Sequence, residues 1–312
     1  MRKLLLIIKR EYLSRILKRS FLLVTILVPL IIFVAILGLR EFHTKQSLLL
    51  VNSGSENANR YISQQQRGVL DNSKMLGALG LIAAGIITIS ILIYSNQVMN
   101  GVREEKSGRV IEMVLISVKS FKLLLGKVIG IGLAGISQFI FWIYLGYSAI
   151  PCTINDQFNL KTLLNIQFPY NSYMLIGLFL FYLFGGYFLY STLFITIASA
   201  VKHRLKLLLL VLLATCPLVF CIGGVKSIIL NDPSGIGAYW LSVIPLTSPV
   251  AMIIRLSLAA VHINEIVCSV LLLLLAFCLL SRVASRVYRM GILMHDREPG
   301  FREILRWIWI KN

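Results

Sequence analysis

The sequence predicts an all-α integral membrane protein. It has six transmembrane helices, both termini on the cytoplasmic side, an amphipathic helix before the first span and re-entrant helices before the last. Three observations carry that prediction. Of 312 residues, 57% are apolar and only 14% charged, where soluble domains hold about half and about a quarter. The apolar residues gather into six runs near the roughly 20 residues that a helix needs to cross a bilayer: 21–39, 75–98, 123–150, 173–201, 207–224 and 263–281. With the N-terminus placed inside, the cytoplasmic segments hold 23 of the 31 lysines and arginines, the asymmetry that orients membrane helices. The whole chain, 1–312, reads as one transmembrane domain.

Residues 1–20 open with Arg2 and Lys3, a short apolar run, then Lys9 and Arg10. A secretory signal needs a longer apolar core and a small-residue cleavage site. The segment reads instead as an amphipathic helix on the membrane face, with Leu6, Tyr12, Leu13, Ile16 and Leu17 turned to lipid or protein. A basic flank that merely orients the first span fits the same pattern. Residues 40–74 are polar, with room for no more than a small hairpin or helix.

The third span sets Gly126, Gly130, Ala134 and Gln138 four apart on one face. Small residues at that spacing let helices approach closely, and the amide is available for an interhelical hydrogen bond. The fourth span carries Tyr182, Gly186 and Tyr190 on one face; helix packing accounts for them, and a pathway-lining surface is the alternative. Pro217 in the fifth span predicts a kink or a partly re-entrant course.

Segment 228–258 is too apolar for an exposed loop, yet it is broken by Pro233, Gly235, Gly237, Pro245 and Pro249. Backbone at membrane depth must bond within the protein, so the segment reads as short re-entrant helices, with Tyr239 and Trp240 at the headgroup level. Thr247, Ser248 and Arg255 belong to it, and Glu265 follows at the outer end of the last span, placed to pair with Arg255 or a headgroup. The tail, 282–312, is basic and amphipathic, suited to anionic headgroups.

The formal charge of +18 points first to nucleic acid or an anionic surface. Sorted by side it is mostly topology, so membrane lipid is the expected partner and nucleic acid is not. Cys152, Cys216, Cys221, Cys268 and Cys278 form no CxxC pair, and the four histidines have no second ligand at helical spacing, so no metal site is expected. Gly126-Lys127 is followed by Val128, with Phe121 where a phosphate loop needs its first glycine. The span cores read as free of charged side chains, where a proton or ion relay would place them. No catalytic or cofactor site is expected in this chain.

Between the second and third spans, residues 101–120 read GVREEKSGRVIEMVLISVKS. Glu104, Glu105, Lys106, Arg109 and Glu112 alternate in sign, with an apolar stripe at Val110, Ile111, Val114 and Leu115. A solvated loop needs no such stripe; a helix docking into a partner does, as does one lying on the inner membrane face.

Residues 105–117, EKSGRVIEMVLIS, followed by LLGKVIG at 124–130, resemble the cytoplasmic segment of type-2 ABC exporter permeases, and within them the sodium-extrusion, NatB-type branch. Three further stretches agree, in order: KREY at 9–12, PLTSP at 245–249 running on to Met252 and Arg255, and YRMGILM at 288–294. The resemblance implies a bacterial inner-membrane permease that forms a homodimer or heterodimer. It also implies binding to separate ABC ATPase subunits that carry the ATP and Mg. Residues 1–20 would be the elbow helix, and Glu104, Glu105, Lys106, Arg109 and Glu112 would sit on the helix that couples to the ATPase. Segment 228–258, with Pro245, Thr247, Ser248, Pro249 and Arg255, would close the outer end of the pathway, with Glu265 beside it. The sodium-exporting branch has a large hydrophilic insertion between its first two spans, where 40–74 is short here, so sodium, drug, peptide and lipid all remain open as substrates. A non-transporting membrane module, or a scaffold of a larger complex, is the alternative.

Overall fold

The computed structural model describes residues 2–17, 21, 25–26, 59–107, 120–153, 170–201 and 203–293. Among these, every regular element is a helix: α1 (Arg2–Ile16), α2 (Asn59–Ser107), α3 (Ser120–Thr153), α4 (Ser172–Ala200), α5 (Arg204–Ile228), α6 (Ile236–Val243), α7 (Ser248–Leu258) and α8 (Ile263–Leu293). Five of them contain stretches long and apolar enough to cross a membrane: Leu76–Lys106, Ser120–Leu145, Tyr173–Ala200, Arg204–Gly224 and Ile263–Gly291. They coincide with the second to sixth expected spans. The expected first span, 21–39, lies outside the described residues apart from Phe21, Thr25 and Ile26.

Local sequence explains the helix ends. At the start of α4, the amides of Met174 and Leu175 donate to the Asn171 carbonyl (2.9 and 3.2 Å). It stops where Val201 turns extended and donates to Ile197 O at 3.0 Å. Segment 228–258 resolves into α6 and α7, joined by a turn at 244–247. Pro249 sits in the first turn of α7, where its missing amide proton has no acceptor to lose. The last helix runs well past its expected end at 281, because Ala284, Val287, Tyr288 and Gly291 keep a buried stripe at helical spacing.

The chain divides into two compact units. The first comprises Met1–Glu11, Leu76–Gly132 and Phe168–Asn312. Its core is built on α4, whose Tyr182, Tyr187, Leu189, Tyr190, Phe194 and Ile195 are buried with Ile87 and Ile91 of α2 and Val128 of α3. The Tyr187 hydroxyl donates to Val128 O at 2.7 Å, and its ring meets Tyr94 edge-on at 6.3 Å. The hydroxyls of Thr88, Ser90, Thr192, Thr196 and Ser199 donate to carbonyls one turn back, so they enter the apolar interior already bonded. The second unit, Tyr12–Met75 and Leu133–Gln167, holds Trp142, whose indole N–H donates to Thr25 O at 3.0 Å.

α5 is sparsely covered by protein. Leu205, Leu208, Leu209, Leu212, Leu213, Val219 and Phe220 are all exposed, as expected where the surrounding solvent is lipid.

Candidate functional site

Two polar clusters stand out in the first unit. The first forms where α2 ends and α3 begins. Glu105, near the end of α2, turns its carboxylate onto Lys127 of α3, with Nζ 2.5 Å from Oε2. Lys127 is only 2% exposed, although it lies two turns inside a helix that is otherwise apolar. Tyr288 of α8 donates to the same Oε2 at 3.2 Å, and Glu11 of α1 is near enough to act electrostatically on that hydroxyl. Next to Glu105, the Lys106 ammonium donates to Ser199 O at 2.9 Å. That carbonyl lies in the last turn of α4, where carbonyls lack intrahelical partners and the helix dipole is negative, so a cation caps it well.

Glycines let these helices meet. A Cβ on Gly291 would stand 2.2 Å from Ser199 O, so α8 touches the α4 backbone directly. A Cβ on Gly130 would stand 2.8 Å from Glu11 Cβ and 2.9 Å from Ile8 O, and one on Gly126 would meet Ile7. The small-residue face of α3 therefore receives α1. The buried face of α1 carries Glu11, while Leu5, Leu6, Leu13 and Leu17 remain exposed.

The second cluster holds the α6–α7 pair. Arg255, in the last turn of α7, has its side chain only 4% exposed and spends its guanidinium on three partners. Nε donates to Pro233 O (2.9 Å), Nη1 to Ser242 Oγ (2.6 Å), and Nη2 pairs with Glu265 Oε2 (2.9 Å). The network continues: Ser269 Oγ donates to Ser242 O (2.7 Å), and the Tyr182 hydroxyl donates to Ser269 Oγ (3.1 Å). Tyr190 donates to Leu246 O at 2.8 Å, in the turn between α6 and α7. Thr247 donates to Leu241 O at 2.5 Å and to Ile244 O at 3.2 Å, folding that turn. Gly186 admits Ile91 and Pro249, whose nearest atoms would lie 2.6 and 3.0 Å from an added Cβ. A buried, fully engaged Arg fixes geometry, because moving any one partner strands a charge.

Of the residues singled out from sequence, Pro245, Thr247, Ser248, Pro249, Arg255 and Glu265 come together with Tyr182, Gly186 and Tyr190. Glu105 instead meets Lys127 and Tyr288, and Lys106 meets the Ser199 carbonyl at the end of α4. Glu104 is exposed on α2. Residues 101–107 continue α2 without a break, and Arg109 and Glu112 lie outside the described residues. Ala134 and Gln138 are buried and belong to the second unit. The expectation that the span cores carry no charge is corrected at Lys127, which lies inside the expected span 123–150. A lysine between Leu125 and Val128 was itself the signal, since ionisable residues inside spans are costly unless paired. Tyr288 gave no signal beyond its position in YRMGILM.

The two clusters are separated along α8 by the stretch from Ser269 to Tyr288, about 28 Å at 1.5 Å per residue. Each is built from stretches far apart in sequence: KREY, EKSG, LLGK and YRMG feed the first, and PLTSP with Arg255 feeds the second. Comparison with known proteins gives this arrangement its context. Residues 43–286 match the model of a family described as ABC-2 family transporter protein.

The chain belongs to that family. Its family and its five long apolar helices make it a multi-pass membrane protein. Among curated proteins it is similar to the uncharacterized protein MJ1024 of Methanocaldococcus jannaschii, at 23% identity over 72% of this chain and 52% of the relative. It is also similar to the uncharacterized protein YhaP of Bacillus subtilis, at 25% identity over 70% and 52%. The chain thus spans about half the length of the curated relatives it matches. No solved structure matches it.

Proposed function

We propose that the chain is the permease subunit of an ATP-driven exporter of the bacterial inner membrane, with six spans and both termini inside. In this reading the cluster around Lys127 lies at the cytoplasmic end and the Arg255 cluster at the outer end. The stretch 101–120 carries the contact with a separate ATPase subunit that binds ATP and Mg, made by Glu104, Arg109 and Glu112, while Glu105 and Lys106 are turned onto α3, α8 and α4. α1 is the elbow helix on the inner membrane face, and α6–α7 is the re-entrant pair that closes the outer end of the pathway. Two permease copies, or this chain and a paralogue, form the transport unit.

ATP binding brings the ATPase subunits together, the docked segments follow, and the permease halves tilt until the α6–α7 pair releases substrate outward. The substrate class is sodium, drug, peptide or lipid; the likeness to the sodium-extruding branch rests on the motif string at 105–130.

The observation that carries the reading is the family match across residues 43–286, supported by the gathering of the permease motifs into two clusters. The test is reconstitution. The chain is co-expressed and purified with a candidate ABC ATPase subunit, and flux is measured in proteoliposomes supplied with ATP. Flux that persists without ATP, or purification that never retains an ATPase, would overturn it.

A further inference from the structure

We infer that Lys127 is a positioning residue for energy coupling: its ion pair with Glu105, shared with Tyr288, closes the base of the ATPase-docking segment and delivers that segment's movement to α3, α8 and α4 together. This inference rests on the permease reading above.

The pair joins the end of α2 to α3. Glu105 precedes the segment 108–119 and Lys127 follows it, and the two side chains meet at 2.5 Å. The end of α2 is therefore tied to α3, and in this reading a displacement of either helix end is shared by the other. The Glu105 carboxylate is engaged within the permease by Lys127 and Tyr288. It is turned inward onto an ammonium that is 2% exposed, which makes Glu105 an internal contact rather than a docking one.

The same root reaches three more helices. Tyr288 donates to the shared carboxylate oxygen from α8. Lys106 holds the last turn of α4. Gly291 lets α8 rest on the same Ser199 carbonyl. Along α4 and α8 these contacts lead to Tyr190, Tyr182 and Ser269, which hold the α6–α7 pair. The route is thus a chain of named contacts, each between one helix and the next.

Stability alone does not require an ion pair here. Replacing a buried pair by apolar side chains of like volume is often neutral or stabilising. What a short charged contact adds is a fixed register between the two flanks, and that is the property a joint needs.

The test uses the permease–ATPase complex in proteoliposomes. The native cysteines are replaced, and a cysteine is placed at Ile236, which is 79% exposed at the start of α6. The readout is the rate of labelling by a membrane-impermeant maleimide, without nucleotide and after trapping with ATP and vanadate. The parent protein should change its labelling rate on trapping. The neutral pair Glu105→Gln with Lys127→Met should keep ATPase binding and hydrolysis but shrink that change by about fivefold or more. The swapped pair Glu105→Lys with Lys127→Glu should restore it.

An unchanged response in the neutral pair overturns the proposal. Loss of ATPase binding in the neutral pair also overturns it, since Lys127 would then serve the docking surface rather than the joint. A parent protein that retains no ATPase, or does not respond to trapping, overturns the exporter reading itself.

Discussion

The ammonium of Lys127 lies 2.5 Å from the carboxylate of Glu105, joining the end of α2 to the second turn of α3 across the segment that reads as a docking helix. The contact changes how charge reversals in that segment are to be interpreted. Glu105→Lys would set a second ammonium against a buried lysine, and so destabilise the permease itself. Glu104→Lys, on an exposed position, should cost about 1 kcal/mol or less. Thermal unfolding of the detergent-solubilised permease without ATPase separates the two: Glu105→Lys should melt well below the wild type and Glu104→Lys close to it. Equal melting points would argue against the ion pair.

At the α6–α7 pair, Glu265→Gln leaves the Arg255 guanidinium buried without its counter-charge. The expected loss is about 3 kcal/mol, read as a lower melting temperature. Replacing both, Arg255→Met with Glu265→Gln, should recover much of that loss. A double variant no better than the single would show that the hydrogen bonds to Pro233 and Ser242 hold the helices, not the charge pair.

Gly291→Ala should be the most damaging of the glycine substitutions on α8 and α4. Its Cβ would stand 2.2 Å from Ser199 O, a backbone atom that yields only if the helices part. Overpacking of this kind costs about 1–3 kcal/mol. Gly177→Ala is the control, since nothing lies within 4 Å of its Cβ, and the better helix propensity of alanine should make it neutral or stabilising. If both variants melt alike, α8 does not lie against the α4 backbone.

Tyr182→Phe removes the hydroxyl that donates to Ser269 and nothing else. Ser269 still donates to Ser242 O, so the loss should be about 1 kcal/mol. Tyr190→Phe leaves Leu246 O without its donor in the turn between α6 and α7, and should loosen that turn. Amide hydrogen exchange across 244–250 is the measurement: faster exchange in Tyr190→Phe than in Tyr182→Phe is expected.

The five described spans were legible because a run of apolar residues long enough to cross a bilayer has few other uses. The α6–α7 pair was legible for a related reason, since prolines and glycines interrupt an apolar stretch that has nowhere to go but into protein. The charged cluster was hidden. Lys127 read as one more basic residue at a span edge, because composition sorts charges by side and does not reveal pairing. Its partner Glu105 sat in a run whose alternating signs suggested an outward surface, and nothing in the order of residues tells which of Glu104 and Glu105 turns inward. Tyr288 lay beyond the expected end of the last span. The helix continues there because Ala284, Val287 and Gly291 hold a buried stripe among basic residues that had suggested a tail.

The bareness of α5 has its own consequence. A helix whose leucines point outward on several sides takes little of its position from neighbouring protein. Its apolar stretch, Arg204–Gly224, has 21 residues, about 31 Å long at 1.5 Å per residue, close to the hydrocarbon thickness of an ordinary bilayer. Bilayer thickness therefore acts on this helix directly: a thinner membrane would tilt it and a thicker one would stand it upright. Lipid chain length becomes a means of adjusting the protein through a helix whose Cys221 meets Thr247 in the turn between α6 and α7.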